Sequence, residues 1–173
     1  MMRWALFTAM AAASSGCTCF VASGGAAFSA DPAEPGYVIG VGVDDYLDPG
    51  LLGFSFEMLS ADLEDGGGVS QSRVLSRIGC EAHSSRENSL AFDGILGLSF
   101  NDLDGADGAA IDDTTVLIGA GITYASAFGR GHSRVFFVEL RYIYVPWDLD
   151  YGGEEDDYSG VEVMVGVAFP FVE

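Results

Sequence analysis

Two histidines followed by serine are the first candidates for chemistry: His83-Ser84-Ser85 and His132-Ser133. A hydrolase needs a base, a nucleophile and an orienting acid held in one geometry. Both histidines fall in stretches that read as turns, and their spacing from any acid matches no catalytic pattern. Two other groups could hold a cation. The stretch Asn101-Asp102-Leu103-Asp104-Gly105-Ala106-Asp107-Gly108 has the composition of a calcium loop. An EF-hand, however, needs an oxygen ligand at its fifth position, Gly at its sixth and Glu at its twelfth. Counted from Asp102, those positions hold Ala106, Asp107 and Asp113. The run Glu154-Glu155-Asp156-Asp157 is the second group. Weak Ca²⁺ or Mg²⁺ binding by these acidic loops stays open beside the plainer reading of a solvated face. Cys80 reads as a small apolar strand residue rather than a nucleophile. The sequence therefore offers no catalytic residue, no cofactor-binding residue and no metal ligand set, and it points away from an enzyme.

The remaining charges of interest sit singly among apolar residues, and the period of that pattern names the elements that carry them. From Tyr37 onward apolar residues recur at every second position, which marks strands with one greasy face. Val161, Val163, Val165, Val167, Phe169 and Phe171 alternate with Glu162, Met164, Gly166, Ala168 and Pro170. Phe136, Val138, Leu140, Tyr142 and Tyr144 alternate with Phe137, Glu139, Arg141 and Ile143. Val116, Ile118, Ala120, Ile122 and Tyr124 oppose Leu117, Gly119, Gly121 and Thr123. Leu90, Phe92, Leu96, Leu98 and Phe100 oppose Asp93, Gly97, Ser99 and Asn101. Val74, Ile78 and Cys80 oppose Arg73, Arg77 and Glu81, and Leu52, Phe54, Phe56 and Met58 oppose Gly53, Ser55 and Glu57. Tyr37, Ile39, Val41 and Val43 oppose Gly40, Gly42 and Asp44. That makes seven strands of about nine to twelve residues, the length that crosses a bilayer at a tilt. Acidic, turn-like stretches lie between them: Asp62 to Gly68, His83 to Asn88, Asn101 to Asp113, Ala127 to Gly131 and Pro146 to Tyr158.

The second face of these strands decides where the first one points. A soluble sheet buries its apolar face and solvates the other. Here the second face is rich in Gly, Ala and Ser, with the isolated charges Glu57, Arg73, Arg77, Glu81, Asp93, Glu139, Arg141 and Glu162. A narrow barrel lumen needs that mixture, with small residues for close strands and opposite charges that meet across the interior. Aromatic residues near strand ends (Tyr37, Tyr124, Tyr142, Tyr144, Trp147, Phe169 and Phe171) are placed for interfacial girdles. The expected fold is all-β, an antiparallel up-and-down transmembrane barrel, most simply of eight strands. The eighth would lie in Leu59 to Ser70 or near Leu103 to Asp112.

Composition agrees with a single small β domain. The chain has 173 residues, with 24 Gly, 5 Pro and 12% aromatics, which suits strands joined by turns. Its net charge of −19, with Lys absent, would repel a phosphate backbone and excludes nucleic acid as a partner. Met1-Met2-Arg3 is followed by a charge-free stretch from Trp4 to Ala30. An apolar segment over Trp4 to Ala13, then small residues, reads as an export signal cut after Ala27 or Ala30. That gives residues 1–30 as signal and 31–173 as barrel. Ser14-Ser15-Gly16-Cys17 also resembles a lipoprotein cleavage site, without the usual Leu. Under this boundary Cys17 and Cys19 leave with the signal and Cys80 stays alone, without a disulfide partner.

Three late segments carry a family resemblance: Leu117-Ile118-Gly119-Ala120-Gly121-Ile122-Thr123-Tyr124, Phe137-Val138-Glu139-Leu140-Arg141-Tyr142 and Val163-Met164-Val165-Gly166-Val167-Ala168-Phe169. In their order, and with a strand at the carboxyl end, the chain resembles the small bacterial outer-membrane β-barrels. That group includes the OmpA-like transmembrane domain and the opacity-type porin family. The chain departs from the group in ending Phe171-Val172-Glu173 instead of on an aromatic residue. The resemblance implies an outer-membrane location, contact with outer-membrane lipid, and a role in envelope structure or in adhesion to an extracellular or periplasmic protein through surface loops. Two alternatives stand beside it: a soluble periplasmic barrel holding a small apolar ligand, and a lipid-modifying membrane enzyme.

Overall fold

In a computed structural model of the chain, the described residues are 19–29, 35–44, 52–62, 67–84, 88–104, 110–128, 134–145, 149–151, 154–156 and 159–170. Ten strands are present among them. They are β1 (Cys19–Ser29), β2 (Gly36–Asp44), β3 (Leu52–Asp62), β4 (Gly68–Ser84), β5 (Asn88–Asp104), β6 (Ala110–Phe128), β7 (Arg134–Tyr144), β8 (Leu149–Tyr151), β9 (Glu154–Asp156) and β10 (Gly160–Pro170). Eight of them close into an antiparallel barrel in the order β1-β10-β7-β6-β5-β4-β3-β2, and β8 and β9 form a separate small hairpin. Strands that are sequence neighbours pair all the way round, apart from this hairpin and the closing pair. Ring closure gives each strand two hydrogen-bonding neighbours and leaves no sheet edge.

The eighth barrel strand is neither of the two stretches expected above. Leu59 to Asp62 completes β3, and Leu103 and Asp104 complete β5. The missing strand is β1, inside the stretch assigned to the export signal. It matches eleven residues to β10, from Cys19 opposite Pro170 to Ser29 opposite Gly160. On its other side it matches nine to β2, from Cys19 opposite Asp44 to Ala27 opposite Gly36. The barrel therefore begins by Cys19 and not at Asp31, and Cys19 belongs to it. The physical reason is that β1 is built of small uncharged residues on both faces. Ala22, Gly24 and Ala26 face outward between Phe20 and Phe28, while Cys19, Val21, Ser23, Gly25 and Ala27 face inward. Such a strand lacks the apolar–polar contrast that marks its neighbours, and it has the composition of a signal's small-residue end.

Two further boundaries differ from the expectation. The acidic stretch 101–113 is mostly paired strand, with Asn101 opposite Asp113 and Asp102 opposite Asp112. The Ala127 and Phe128 positions extend β6 to pair with Val135 and Arg134. Pro170, which donates no ladder hydrogen bond, is the last residue of β10.

The strand ends define two rims. Cys19, Asp44, Leu52, Ser84, Asn88, Phe128, Arg134 and Pro170 lie at one, the terminal rim, and Ser29, Gly36, Asp62, Gly68, Asp104, Ala110, Tyr144 and Gly160 lie at the other, the loop rim. The apolar set faces outward. Ile39, Ile78, Leu96, Ile118 and Leu140 each expose more than half of their surface, and Tyr37 exposes 62%. Of the aromatics assigned to girdles, Tyr37, Tyr142 and Tyr144 face outward on the loop-rim half, and Tyr124 and Phe169 on the terminal-rim half. Trp147 and Phe171 lie outside the described residues. Phe28 adds to the first group, and Phe20, Phe128 and Phe136 to the second. Water would punish such a surface at roughly 25 cal/mol per Å², whereas a hydrocarbon surround does not.

Candidate functional site: the barrel interior

Alternation sends every second side chain inward, and the ring is narrow enough for those chains to meet. Apolar clusters occupy both halves of the interior. Cys19, Val21, Ala125, Val135, Phe137 and Ala168 pack together near the terminal rim. On the loop-rim half, Val69, Leu75, Ile95, Leu117, Ile143 and Val145 form one group, and Ala27, Val38, Leu59 and Met164 another. Inward glycines make room where a larger residue would collide. A Cβ on Gly166 would stand 2.3 Å from the Phe137 ring, and one on Gly25 would stand 2.7 Å from the Met164 sulfur.

Between these groups lie the charges. Glu57, Arg73, Arg77, Asp93, Glu139, Arg141 and Glu162 are all buried, with Arg73 and Glu139 only 1% exposed. The ring order explains their pairing. Counting round eight strands, β3 stands directly opposite β7, and β4 directly opposite β10. Arg141 on β7 reaches across the full diameter to Glu57 on β3, with Nη1 donating to Oε1 at 2.9 Å and Nη2 to Oε2. Arg73 on β4 likewise crosses to Glu162 on β10, Nη1 donating to Oε1. Glu162 ties the two crossings together, because its Oε2 also accepts from Arg141 Nε at 2.7 Å. These are bidentate or bridged contacts between ionised groups, the strongest hydrogen-bond class available to side chains.

Arg77 carries the network toward the terminal rim. Its Nη2 donates to Asp93 Oδ2 at 3.1 Å and to Thr123 Oγ1 at 3.0 Å, and Thr123 in turn donates to Asp93. Glu139 stands between two arginines, 3.3 Å from Arg77 Nη2 and 3.9 Å from Arg141 Nη1. Gln71 supports Arg73 by accepting from its Nε at 2.9 Å. Glycine again supplies the space: a Cβ at Gly40 would meet Glu57 Cγ at 2.9 Å, and one at Gly121 would meet Arg141 Cβ at 3.0 Å. Beside Ser23, Ser55, Glu57, Arg77 and Glu139 remains a cavity of about 20 Å³, room for roughly one water molecule.

Of the eight charges placed on this face by alternation, seven meet in the network; the Glu81 side chain lies outside the described residues. Gln71 and Thr123 are the polar partners that the charge pattern did not single out, although both sit at inward positions of their strands. The residues weighed for catalysis are not gathered here. His83 is exposed on β4 close to the terminal rim, opposite Leu90, and His132 lies outside the described residues. Cys80 is exposed on the outward face of β4. In the calcium-like stretch, Asn101 points inward and accepts from Ser99 Oγ, and Asp102 is exposed on the outer face. Glu154 to Asp156 form β9, with Glu155 opposite Asp150.

No family model matches the sequence, and no curated protein matches it in sequence. Solved structures do match in fold. One is the crystal structure of Neisserial surface protein A, at TM-score 0.60 and 14% identity, covering 89% of this chain and 96% of that one. A second is the N-terminal β-barrel domain of Pseudomonas aeruginosa OprF, at TM-score 0.52 and 11% identity, covering 90% and 98%. Ail of Yersinia pestis, the attachment invasion locus protein, solved with the heparin analogue sucrose octasulfate, has TM-score 0.47 and 12% identity over 89% and 97%. The chain thus has the fold of the small eight-stranded outer-membrane barrels.

Proposed function

We propose that the protein is a non-enzymatic β-barrel of the bacterial outer membrane, plugged by its own side chains, that serves the envelope as a structural element or as a scaffold for loop-borne interactions. The observation that carries this reading is the inversion of the two faces. Large apolar side chains ring the outside, and a net of arginines and carboxylates crosses the inside. A soluble ligand-binding barrel would have the reverse arrangement. The cavity beside Glu57, Arg77 and Glu139, about 20 Å³, is also far too small for an apolar ligand.

The diametric pairs Arg141–Glu57 and Arg73–Glu162 support a lumen closed to solutes. A solute passing through would have to displace charge-assisted bonds that have no water to replace them. With the interior filled, the surfaces left for partners are the rims. The links at the loop rim contain Asp31, Glu34, Glu64, Asp65, Asp107, Asp148, Asp150 and Glu154 to Asp157, and neither Arg nor Lys. Outer-membrane barrels place short turns in the periplasm and longer loops outside. The fifteen-residue link 145–159 therefore supports an acidic rim turned to the cell surface, where it suits cationic partners.

The test takes the outer-membrane fraction, compares unboiled and boiled samples by electrophoresis, and reconstitutes the protein in planar bilayers. Faster migration of the unboiled form with no steady single-channel conductance is the expected pair of results. A protein found in the soluble periplasm without a heat-dependent shift overturns the membrane reading. A stable conductance overturns the closed lumen alone.

A further inference from the structure

The strand that closes the barrel lies where an export signal would otherwise be cut, and this fixes where processing can occur. Removing the chain through Ala27 or Ala30 would leave β2 and β10 without the partner that each hydrogen-bonds along its length. Two bare edges would then face hydrocarbon, where nothing satisfies a backbone N–H or C=O. The small residues of β1 also have packing duties of their own. Val21 packs with Val135, Phe137 and Ala168. Gly25 lies under the Val163 carbonyl and the Met164 side chain, where an added Cβ would be 2.0 Å from the carbonyl oxygen. Ala27 packs with Val38, Leu59 and Met164. Smallness at Gly24 to Ala27 is thereby explained by the barrel, and it no longer marks a peptidase site.

Resting on the export reading above, we propose that the signal is cut ahead of β1, so that the mature chain begins between Ser14 and Cys19. The bond that fits best is Gly16–Cys17. Arg3 supplies the positive start, Trp4 to Ala13 the apolar segment, and Ser14 and Gly16 the small residues three and one positions before the cut. The reaction is amide hydrolysis by a membrane-bound signal peptidase. Water adds across the Gly16–Cys17 bond, leaving a carboxylate on Gly16 and a new α-amino group on Cys17. Two residues, Cys17 and Thr18, then precede β1.

The experiment expresses the full chain, isolates the outer membrane, and determines the first residue and intact mass of the heat-shifted band. A first residue from Ser14 to Cys19 upholds the proposal. If it is Cys17, an added diacylglyceryl mass assigns the cut to the lipoprotein peptidase, and the unmodified mass assigns it to the general one. A heat-shifted band that starts at Phe28 or Asp31, or that retains Met1, overturns this inference while leaving the barrel reading intact. Absence of any heat-shifted band would instead strike the barrel reading itself. As a second variant, Ala30→Leu should be processed as the parent is, because the bond after Ala30 is not the one used. Accumulation of the uncut Ala30→Leu precursor would overturn the proposal.

Discussion

Replacing Arg141 by Met is the sharpest test of the interior network, because it keeps the aliphatic stem and removes the charge at its centre. In the native barrel this guanidinium holds Glu57 across the diameter and Glu162 beside it. After the change Glu162 still has Arg73 on its other oxygen. Glu57 is left with the Ser55 hydroxyl at 3.2 Å, too weak a donor to replace a bidentate cation. Removing one partner of a buried pair costs about 3–5 kcal/mol, against about 0–1 kcal/mol for a solvated one. Arg141→Met should therefore lower the unfolding free energy by about 3–5 kcal/mol. Denaturant titration in lipid vesicles, with the folded fraction read from the unboiled gel band, measures this directly. Adding Glu57→Gln to Arg141→Met removes the stranded carboxylate and should recover about half of the loss, which a double-mutant cycle isolates. A loss below about 1 kcal/mol would mean that water reaches the pair, and a double variant as unstable as the single one would mean that Glu57 is not its partner. Either result refutes the reasoning.

Gly166→Ala should destabilise the barrel by about 1–3 kcal/mol through overpacking, since its Cβ would stand 2.3 Å from the Phe137 ring. Phe137→Ala in the same chain should rescue part of this in denaturant titration, but not all, because the Ala22 carbonyl lies 2.6 Å away as well. Leu140→Arg, outward and near the middle of β7, should cost about 2–4 kcal/mol in vesicles. Tyr37→Arg, one residue into β2 at the loop rim, should cost about 0–1 kcal/mol in the same titration; equal costs for the two would argue against a bilayer around the barrel. Replacing residues 147–157 with a short Gly-Ser link should leave the heat shift unchanged. Among the described residues the replaced piece holds only the separate β8–β9 hairpin, and the Val145 N–H to Ser159 Oγ bond at 3.1 Å lies outside it.

Alternation made the barrel legible wherever its two faces differ in chemistry. The contrast of Leu140 with Arg141, or of Val161 with Glu162, is a direct image of an apolar exterior on one side and a lumen on the other. It placed the described outward residues correctly on seven strands, and the seven described inward charges on five of them. It failed on β1, where neither Ala22 and Gly24 outside nor Ser23 and Gly25 inside give a period to read. It also stopped short at Asn101 to Asp113, because acids on a paired strand beyond the apolar belt look the same in sequence as acids in a loop. Periodicity reports a difference between environments, and both failures lie where that difference vanishes.

The pairing within the network was illegible for a related reason. Sequence spacing shows which charges face inward, but partners across a barrel are set by position round the ring. With seven strands no strand has an opposite. With β1 in place, three strands lie between β7 and β3 in either direction, and Arg141 is aimed at Glu57 although they stand 84 positions apart in sequence. The same count sets β4 opposite β10 and brings Arg73 to Glu162 across 89 residues. Both crossings thus depend on a strand that contributes no charge to either. A chain shortened past Ala27 would lose the partners of β2 and β10, and it would also change the angular positions that let three arginines meet four carboxylates. The least patterned strand of the barrel thereby sets the geometry of the most charged part of its interior.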